Sequence, residues 1–357
     1  KSVTETGLGL VIPFYRIDVT REVDVIEEIL RVFGYNNVNF DPKLHASVAT
    51  SSRFEDHILQ NHVGDLLAAK GFYEILSNSL TNPDYSQILD PEEKRKVEIL
   101  NPLSSELSVM RPSMLFSALE AASYNMNRKR QHLKLFEFGK TYHPADQGYD
   151  EKRHLSVLVS GDRTAESWTT PSKPTDFFFL KSIVEHILNK MGIVKCTSTA
   201  SKNSVFTEAI QLMKDNTSLV HLGLVNGKIL KRFDIKQQVL FADFDWEAVC
   251  KLAAKQEIVY QPIPKFPSVR RDFALLLDDN VPFSDLEAIA FKTEKKLLKD
   301  LSLFDVYTGD KLPKGKKSYA VSFTLQDSTK TLTDKQIDKI MNKMKSAYED
   351  QLGAELR

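Results

Sequence analysis

Asp18, Asp24, Glu27 and Glu28 crowd one short stretch of the chain, YRIDVTREVDVIEEILRVFGY, residues 15–35. Carboxylates this close repel one another, and a hard cation such as Mg²⁺, which takes oxygen ligands and keeps its waters, would relieve the repulsion. Asp24, Glu27 and Glu28 stand at i, i+3 and i+4, so in a helix all three share one face. Asp18 precedes them and can lean over that face. The wet side of a helix accounts for the same residues, because exposed helix faces are often acidic and Arg21 and Arg31 lie near to neutralise this one. Residue types alone favour the wet face and leave the cation site as the alternative.

A second constellation is basic. Lys265, Arg270, Arg271, Lys292, Lys295, Lys296, Lys299, Lys311, Lys314, Lys316 and Lys317 fall at strand ends and along one helix of the last part of the chain. Such a set can track a phosphate backbone; lysine-rich solvation explains it equally well. Motifs for other chemistry are missing. His57 and His62 are five apart, off the i, i+4 spacing of a zinc pair, and no HExxH, GxGxxG, GxxxxGK[ST] or GxSxG occurs. All eight histidines read as structural or surface residues, and Ser104 and Ser105 in NPLSSELS as turn formers.

The elements that must hold these residues follow from periodicity. LGLVIPFYRIDV, residues 8–19, reads as a strand, with Thr20 as the N-cap of a helix whose first turn carries Glu22 and Asp24. Val25, Ile26, Ile29, Leu30 and Phe33 recur at helical spacing, and Gly34 ends the run. NFDPKLHAS is a linker, followed by a helix through RFEDHILQNHVGDLLAAKGF, a strand in YEILSNSL and a charged loop, DPEEKRK. A helix near SALEAASYNMNRK precedes strands in LKLFEFGKTYH and HLSVLVSG. A further helix, DFFFLKSIVEHILNKMG, leads to strands in LVHLGLVN and QQVLFADFDW. These alternations predict an α+β domain on a mixed, mostly antiparallel sheet.

Beyond the Pro-punctuated YQPIPKFPSV the order becomes strand, helix, strand, strand, helix, short strand, the βαββαβ pattern of ferredoxin-like domains. Capping boxes are expected at Ser284 with Glu287 and at Thr333 with Gln336. Ile337, Ile340, Met341, Met344 and Tyr348 form the apolar stripe of the second helix. KKSYAVSF is superficially like the RNP1 element of RNA-recognition motifs. However, Tyr319, Val321, Phe323 and Leu325 share one strand parity and are expected in the core, leaving Ser318, Ala320, Ser322 and Thr324 on the other face with no aromatic platform.

Composition narrows the class. The chain has 357 residues, enough for two or three domains, with 42% hydrophobic and 27% charged residues. Lys+Arg and Asp+Glu both total 48, so no global charge draws it to nucleic acid or membrane, and any electrostatic site must be local. Cys196 and Cys250 are far apart and in no CxxC, which fits a reducing, cytoplasmic compartment rather than a disulfide framework. No apolar run is long enough to span a membrane. The chain opens at Lys1, in what reads as the middle of a strand, as a piece of a longer polypeptide would.

Several stretches together resemble one family. FPSVRRDFALLLDDNVPFSDL, LFDVYTGDKLPKGKKSYAVSFTLQD, TLTD and LGAELR resemble the ferredoxin-fold anticodon-binding domain of bacterial phenylalanyl-tRNA synthetase β subunits. YRIDVTREVDVIEEILRVFGY resembles the end of the small domain that precedes the core of those subunits. LNPLSSELSVMRPSMLFSALEAASYNMNR and LFEFGKTY resemble the core itself, which is similar to a class II synthetase catalytic domain. The resemblance implies three parts: residues 1–40 as the end of the small domain, 41–258 as a class II synthetase-like core, and 264–357 as the anticodon-binding domain.

It also implies a non-catalytic role. In class II catalytic domains a segment like FEFGKTY runs on into an arginine that holds the ATP phosphates; here His143 and Pro144 stand there. The Gly-rich, Arg-bearing third motif is missing as well, since VLFADFDWEAV has neither residue. Without those cations ATP's triphosphate has little to hold it. The family places ATP use in an α subunit, assembled as an α₂β₂ heterotetramer that charges tRNA(Phe). Its Mg²⁺ site, shared with α, has a spacing that Asp18, Asp24, Glu27 and Glu28 match without gaps. By resemblance, Lys265, Arg270, Arg271, Lys311, Lys314, Lys316 and Lys317 are the expected tRNA contacts. The rival readings are a stand-alone RNA-binding protein with an RRM-like domain and a Mg²⁺-dependent enzyme built on the acidic cluster. The first lacks stacking aromatics, and the second lacks a nucleophile or base.

Overall fold

The computed structural model describes residues 2–4, 7–39, 56–89, 96–164, 166–256, 259–260, 262–309 and 311–357. The linker NFDPKLHAS from Phe40 onward, the start of the following helix at Arg53, and the loop DPEEKRK up to Arg95 lie outside them. Two compact units divide the chain, residues 1–257 and 258–357.

The first unit opens on a hairpin, Ser2–Thr4 with Gly7–Gly9. The strand expected over residues 8–19 stops at Gly9: Pro13 has no N–H for a ladder, and the chain turns, with Arg16 N donating to Pro13 O (3.0 Å) and Val19 N to Arg16 O (3.3 Å). Helix α1, Glu22–Phe33, is capped by Arg21 rather than by Thr20. The Asp24 carboxylate at N3 accepts the N–H groups of Thr20 (3.0 Å) and Arg21 (2.8 Å), the part that an N3 Glu or Gln plays in a capping box. Gly34, at φ 90°, ends α1 where a side chain would be strained.

Helix α2 (Asp56–Ala69), strand β1 (Tyr73–Glu74), helix α3 (Leu115–Asn127), strands β2 (Leu133–Pro144) and β3 (Tyr149–Ser160) and helix α4 (Phe177–Lys190) follow. Strands β4 (Thr197–Ala200), β5 (Phe206–Lys214), β6 (Thr217–Val225) and β7 (Val239–Asp245) and helix α5 (Trp246–Ala253) complete the unit. The strands form one seven-stranded sheet in the order β4-β5-β6-β7-β3-β2-β1, antiparallel except for the parallel β1–β2 pair.

Strand alternation sends Phe136, Val157, Leu240 and Leu222 to one face, packed under α2, α4 and α5. Leu133, Leu135, Leu158, Val239 and Phe241 go to the other, under α3 and the short helix Gly227–Arg232. That second core covers only part of its face. Farther along the same strands the register lines up Glu137, Gly139, Thr141 and His143 of β2 with His154 and Ser156 of β3, Asp243 of β7 and His221 of β6.

The second unit consists of β8 (Val269–Asp278), α6 (Phe283–Thr293), β9 (Leu298–Tyr307), β10 (Lys316–Leu325), α7 (Asp334–Leu352) and β11 (Glu355–Leu356). Its sheet is antiparallel in the order β9-β10-β8-β11, which with the βαββαβ succession is the ferredoxin-like arrangement. Tyr319, Val321, Phe323 and Leu325 are buried with Ile337, Ile340, Met341, Met344 and Tyr348, as the two periodicities require. The Thr333–Gln336 box forms, Gln336 Oε1 accepting Thr333 N at 3.2 Å. The Ser284–Glu287 box does not. Pro282 is the N-cap, so Ser284 already lies inside α6 and has no cap to make.

Candidate functional site

Three polar constellations are candidates. At the acidic junction the structure gathers only part of the quartet. Arg16, in the turn before α1, donates from Nε and Nη2 to the two Asp18 oxygens (3.0 and 2.8 Å) and from Nη2 to Glu28 Oε1 (2.7 Å). Arg31 reaches Glu28 Oε1 at 3.2 Å from one helical turn on. Hydrogen bonding from Arg16 holds the Asp18 and Glu28 carboxyls below the usual range, and the Thr20 and Arg21 N–H groups do the same for Asp24. Glu27 is exposed. Two carboxylates therefore converge on a guanidinium, a third caps the helix, and the four do not converge on one point. Among the described residues no group of three or more His, Cys, Asp or Glu side chains is placed to hold a metal ion. In this arrangement the quartet does not fit a Mg²⁺ ion. The neutralising residues expected from the sequence were Arg21 and Arg31, and Arg16 was missed; a cation two residues before Asp18 was the available signal.

The polar part of the first unit's sheet carries a chain of hydrogen bonds. His154 Nδ1 meets Asp243 Oδ1 at 2.8 Å, His154 Nε2 meets Thr141 Oγ1 at 2.9 Å, and His143 Nε2 meets the same hydroxyl at 3.0 Å. Asp243 fixes the proton on Nδ1 of neutral His154, so the Thr141 hydroxyl donates to its Nε2 and accepts from His143. Burial pushes the pKa of His154 down, but the charge and hydrogen bond of Asp243, with Asp245 behind, outweigh it and raise it overall. His143 is lowered, by burial first and then by Lys152 and His154.

The two shifts act on stability in opposite directions. The His154–Asp243 interaction stabilises fully below the unfolded-state pKa of about 6.5 and fades as pH rises through the higher folded value. His143, lowered, costs stability as pH falls below about 6.5 toward its lower folded value. The expected result is that Asp243→Asn lowers Tm more at pH 5.5 than at pH 9, whereas His143→Gln reduces the loss of Tm on acidification. Thermal scans across pH check both, and equal Asp243→Asn losses at the two pH values would contradict the linkage.

In the second unit the basic residues do not form one patch. Arg270 and Arg271 are consecutive in β8 and so point to opposite faces. Arg271 approaches Asp334 of α7 (3.6 Å), while Arg270 lies on the helix-free face, bonded to Asp272 (2.8 Å). Lys265 is exposed just before β8. Lys316 sits eight residues along the ladder from Arg270, opposite Asp278 (2.9 Å), roughly 25 Å away at the usual rise per residue. Lys311 and Lys314 are exposed on the loop before Lys316. Lys317 is buried: its ammonium donates to Asp279 O (2.7 Å) and lies 4.7 Å from the Tyr319 ring centre.

Aromatic residues stand on that helix-free face after all. Phe304, next to core-facing Leu303, is 53% exposed there, with the Arg270 guanidinium 5.1 Å from its ring centre. Tyr307, opposite Ser318, is 40% exposed on the same face. Alternation from Leu301 and Leu303 already turns Phe304 outward, whereas Tyr307 reaches this face because the register shift between Leu303 and Asp305 adds a residue to β9. Asp272, Asp300 and Asp305 share the face, so phosphates would follow its cationic ends rather than its middle.

Comparison with known proteins gives three family matches along the chain. Residues 41–246 match the phenylalanyl tRNA synthetase beta chain CLM domain, 264–357 the ferredoxin-fold anticodon binding domain, and 1–35 the tRNA synthetase B5 domain. The phenylalanine–tRNA ligase beta subunit of Bacteroides thetaiotaomicron is 44% identical over 99% of this chain and 45% of its own length. That of Porphyromonas gingivalis is 42% identical over 98% of this chain and 44% of its length. The chain thus spans just under half of these relatives. A pyrrolysyl tRNA synthetase structure from Desulfitobacterium hafniense aligns at 16% identity with a TM-score of 0.44, covering 55% of this chain and 68% of its own, too weak a likeness to bear on the fold.

Proposed function

Because this chain belongs to the phenylalanyl-tRNA synthetase beta-chain family, we propose that it forms the C-terminal portion of a β subunit of a cytoplasmic phenylalanine–tRNA ligase. It docks a catalytic α subunit in an α₂β₂ assembly through its class II synthetase-like core, residues 41–258. Its last part, residues 264–357, contacts tRNA(Phe). Residues 1–40 close the small preceding domain. Phenylalanine activation with ATP belongs to the α subunit in this reading. Where an ATP-holding arginine would follow FEFGKTY, His143 is tied to Thr141 instead (3.0 Å), and β7 with α5, residues 239–253, offers neither arginine nor glycine. Mg²⁺ at Asp18, Asp24, Glu27 and Glu28 would require a rearranged junction, with α supplying further oxygens.

The observation that carries tRNA contact is the helix-free face of the second unit, where Arg270 and Phe304 form a cation-and-ring platform at one end and Lys311, Lys314 and Lys316 a cationic rim at the other. Stacking on such a ring tolerates any base, and the rim attracts phosphate. A free-standing RNA-binding protein is not favoured, because the family matches extend along the chain well beyond this unit. The test is co-expression with a bacterial α subunit. Co-elution and phenylalanine-charging activity that needs both chains are expected, and the β chain alone should show no phenylalanine-dependent ATP–pyrophosphate exchange. Robust exchange from the isolated chain would overturn the division of labour.

A further inference from the structure

The loop between β9 and β10, tied down by the bond from Asp279 N to Gly315 O (3.0 Å), walls a cleft of about 690 Å³ in the second unit. That volume suits a small ligand. Val306 and Leu312 contribute apolar surface, and Lys314, Lys316 and Lys317 contribute cations. The cations are unequally paired. Lys316 has Asp278 at 2.9 Å, whereas no carboxylate pairs with Lys314 or Lys317 among the described residues. Lys317 is buried, and so is Arg111 of the first unit, but Arg111 has the Glu137 carboxylate at 2.8 Å. Lys317 has a carbonyl, Asp279 O at 2.7 Å, and the Tyr319 ring. An ammonium carries three donors, and Asp279 O takes one of them. A buried charge with no counter-ion is costly, and an anion in the cleft offsets that cost. Asp279, the acidic residue of the lining, is itself exposed.

We infer that this cleft receives one nucleotide of an RNA strand, its phosphate met by Lys314 and Lys317 and its ribose or base by Val306 and Leu312. The inference rests on the reading of the second unit as a tRNA-binding part. It goes beyond that reading by making the cationic rim the mouth of a pocket, and by giving the buried Lys317 a ligand that a surface phosphate track would not supply. A free nucleotide shares the phosphate chemistry. The strand is the better occupant, because Lys311, exposed on the same loop, offers a contact to a neighbouring phosphate, which a mononucleotide lacks.

The experiment measures tRNA(Phe) binding over a range of salt concentrations for the 357-residue chain and its Val306→Glu and Val306→Gln variants. Val306 is 50% exposed, so both substitutions spare the core, and circular dichroism checks that they do. A carboxylate in the cleft repels a phosphate there. Val306→Glu is therefore expected to weaken binding about tenfold and to flatten the salt slope by about one. Val306→Gln, of the same shape without the charge, should stay within about twofold of the parent. In a second arm, uridine 5′-monophosphate should shift the Val306 and Leu312 methyl resonances saturably, and uridine should not. Parent-like affinity and slope in Val306→Glu, or equal losses in both variants, would overturn the cleft while leaving tRNA contact intact. Equal shifts with uridine and its monophosphate would overturn the phosphate assignment. Failure of the parent chain to bind tRNA(Phe) would sink both readings.

Discussion

Replacing Arg111 with methionine is expected to cost the first unit about 3–5 kcal/mol, among the largest single-residue losses the chain can suffer. Arg111 and Glu137 are buried together, at 3% and 0% exposure, with Nη1 and Oε1 2.8 Å apart. The guanidinium also donates from Nε to Lys140 O (2.8 Å) and weakly to Ser117 Oγ (3.4 Å). Glu137 Oε1 accepts Ser77 N (3.1 Å), while Oε2 has no hydrogen-bond partner among the described residues. Removing the arginine therefore strands a carboxylate that is already half unsatisfied. Gly139 belongs to the same arrangement, since a Cβ there would collide with Arg111 and Met114.

The pair is not worth its whole truncation cost, because desolvating two charges offsets much of their attraction. Hence the second half of the expectation: Arg111→Met with Glu137→Leu should recover most of the loss. Trp168 and Trp246, the two tryptophans, both lie in the first unit, so tryptophan fluorescence in urea reports on that unit. A single-variant loss under about 1 kcal/mol, or a double variant no better than the single, would show that the pair is solvated or dispensable.

Binding of tRNA(Phe) should fail in two distinguishable ways. Phe304→Ala removes a stacking surface, worth about 1–3 kcal/mol per base, and so should weaken binding about tenfold with little change in its salt slope. Lys311→Glu with Lys314→Glu should weaken binding and also flatten the slope of log K against log salt, by about one for every phosphate that is no longer neutralised. Lys317 is unsuitable for charge reversal, because its buried ammonium satisfies Asp279 O and its removal would unsettle the fold. Filter binding over a range of salt concentrations separates the two outcomes. Parent-like affinity and slope in both variants would remove this face from the RNA interface.

What the sequence could disclose depended on how local the cause was. The βαββαβ unit was legible because its helix and strand periods are clean and Thr333 supplies its own cap. The Arg270–Arg271 split was legible in principle, since consecutive strand residues must part. The first strand was overread because Pro13 sits inside an apolar run and the hydrophobic pattern masks the break. Both helix starts were misplaced by one or two residues, where Arg21 and Pro282 took N-cap positions usually given to Ser or Thr. Phe304 was legible from the alternation of Leu301 and Leu303 but went unread because only the face of β10 was considered for stacking, whereas Tyr307 was hidden by the broken register. The His154–Asp243 contact spans 89 residues and arises only when β3 and β7 lie side by side. The acidic quartet was visible as a cluster, but its actual partner, Arg16, depends on a turn the pattern did not predict.

The bulged β9 also bears on how molecules of this chain meet each other. It is a ten-residue strand at the rim of its sheet, and a straight rim of that length invites strands from neighbouring copies. Two interruptions of its register and the charges of Lys299, Asp300 and Asp305 spoil that comb of backbone donors and acceptors. The same irregularity that brings Tyr307 to the helix-free face makes the rim a poor template for aggregation. Straightening β9 by deleting one residue at the bulge would restore an adhesive edge.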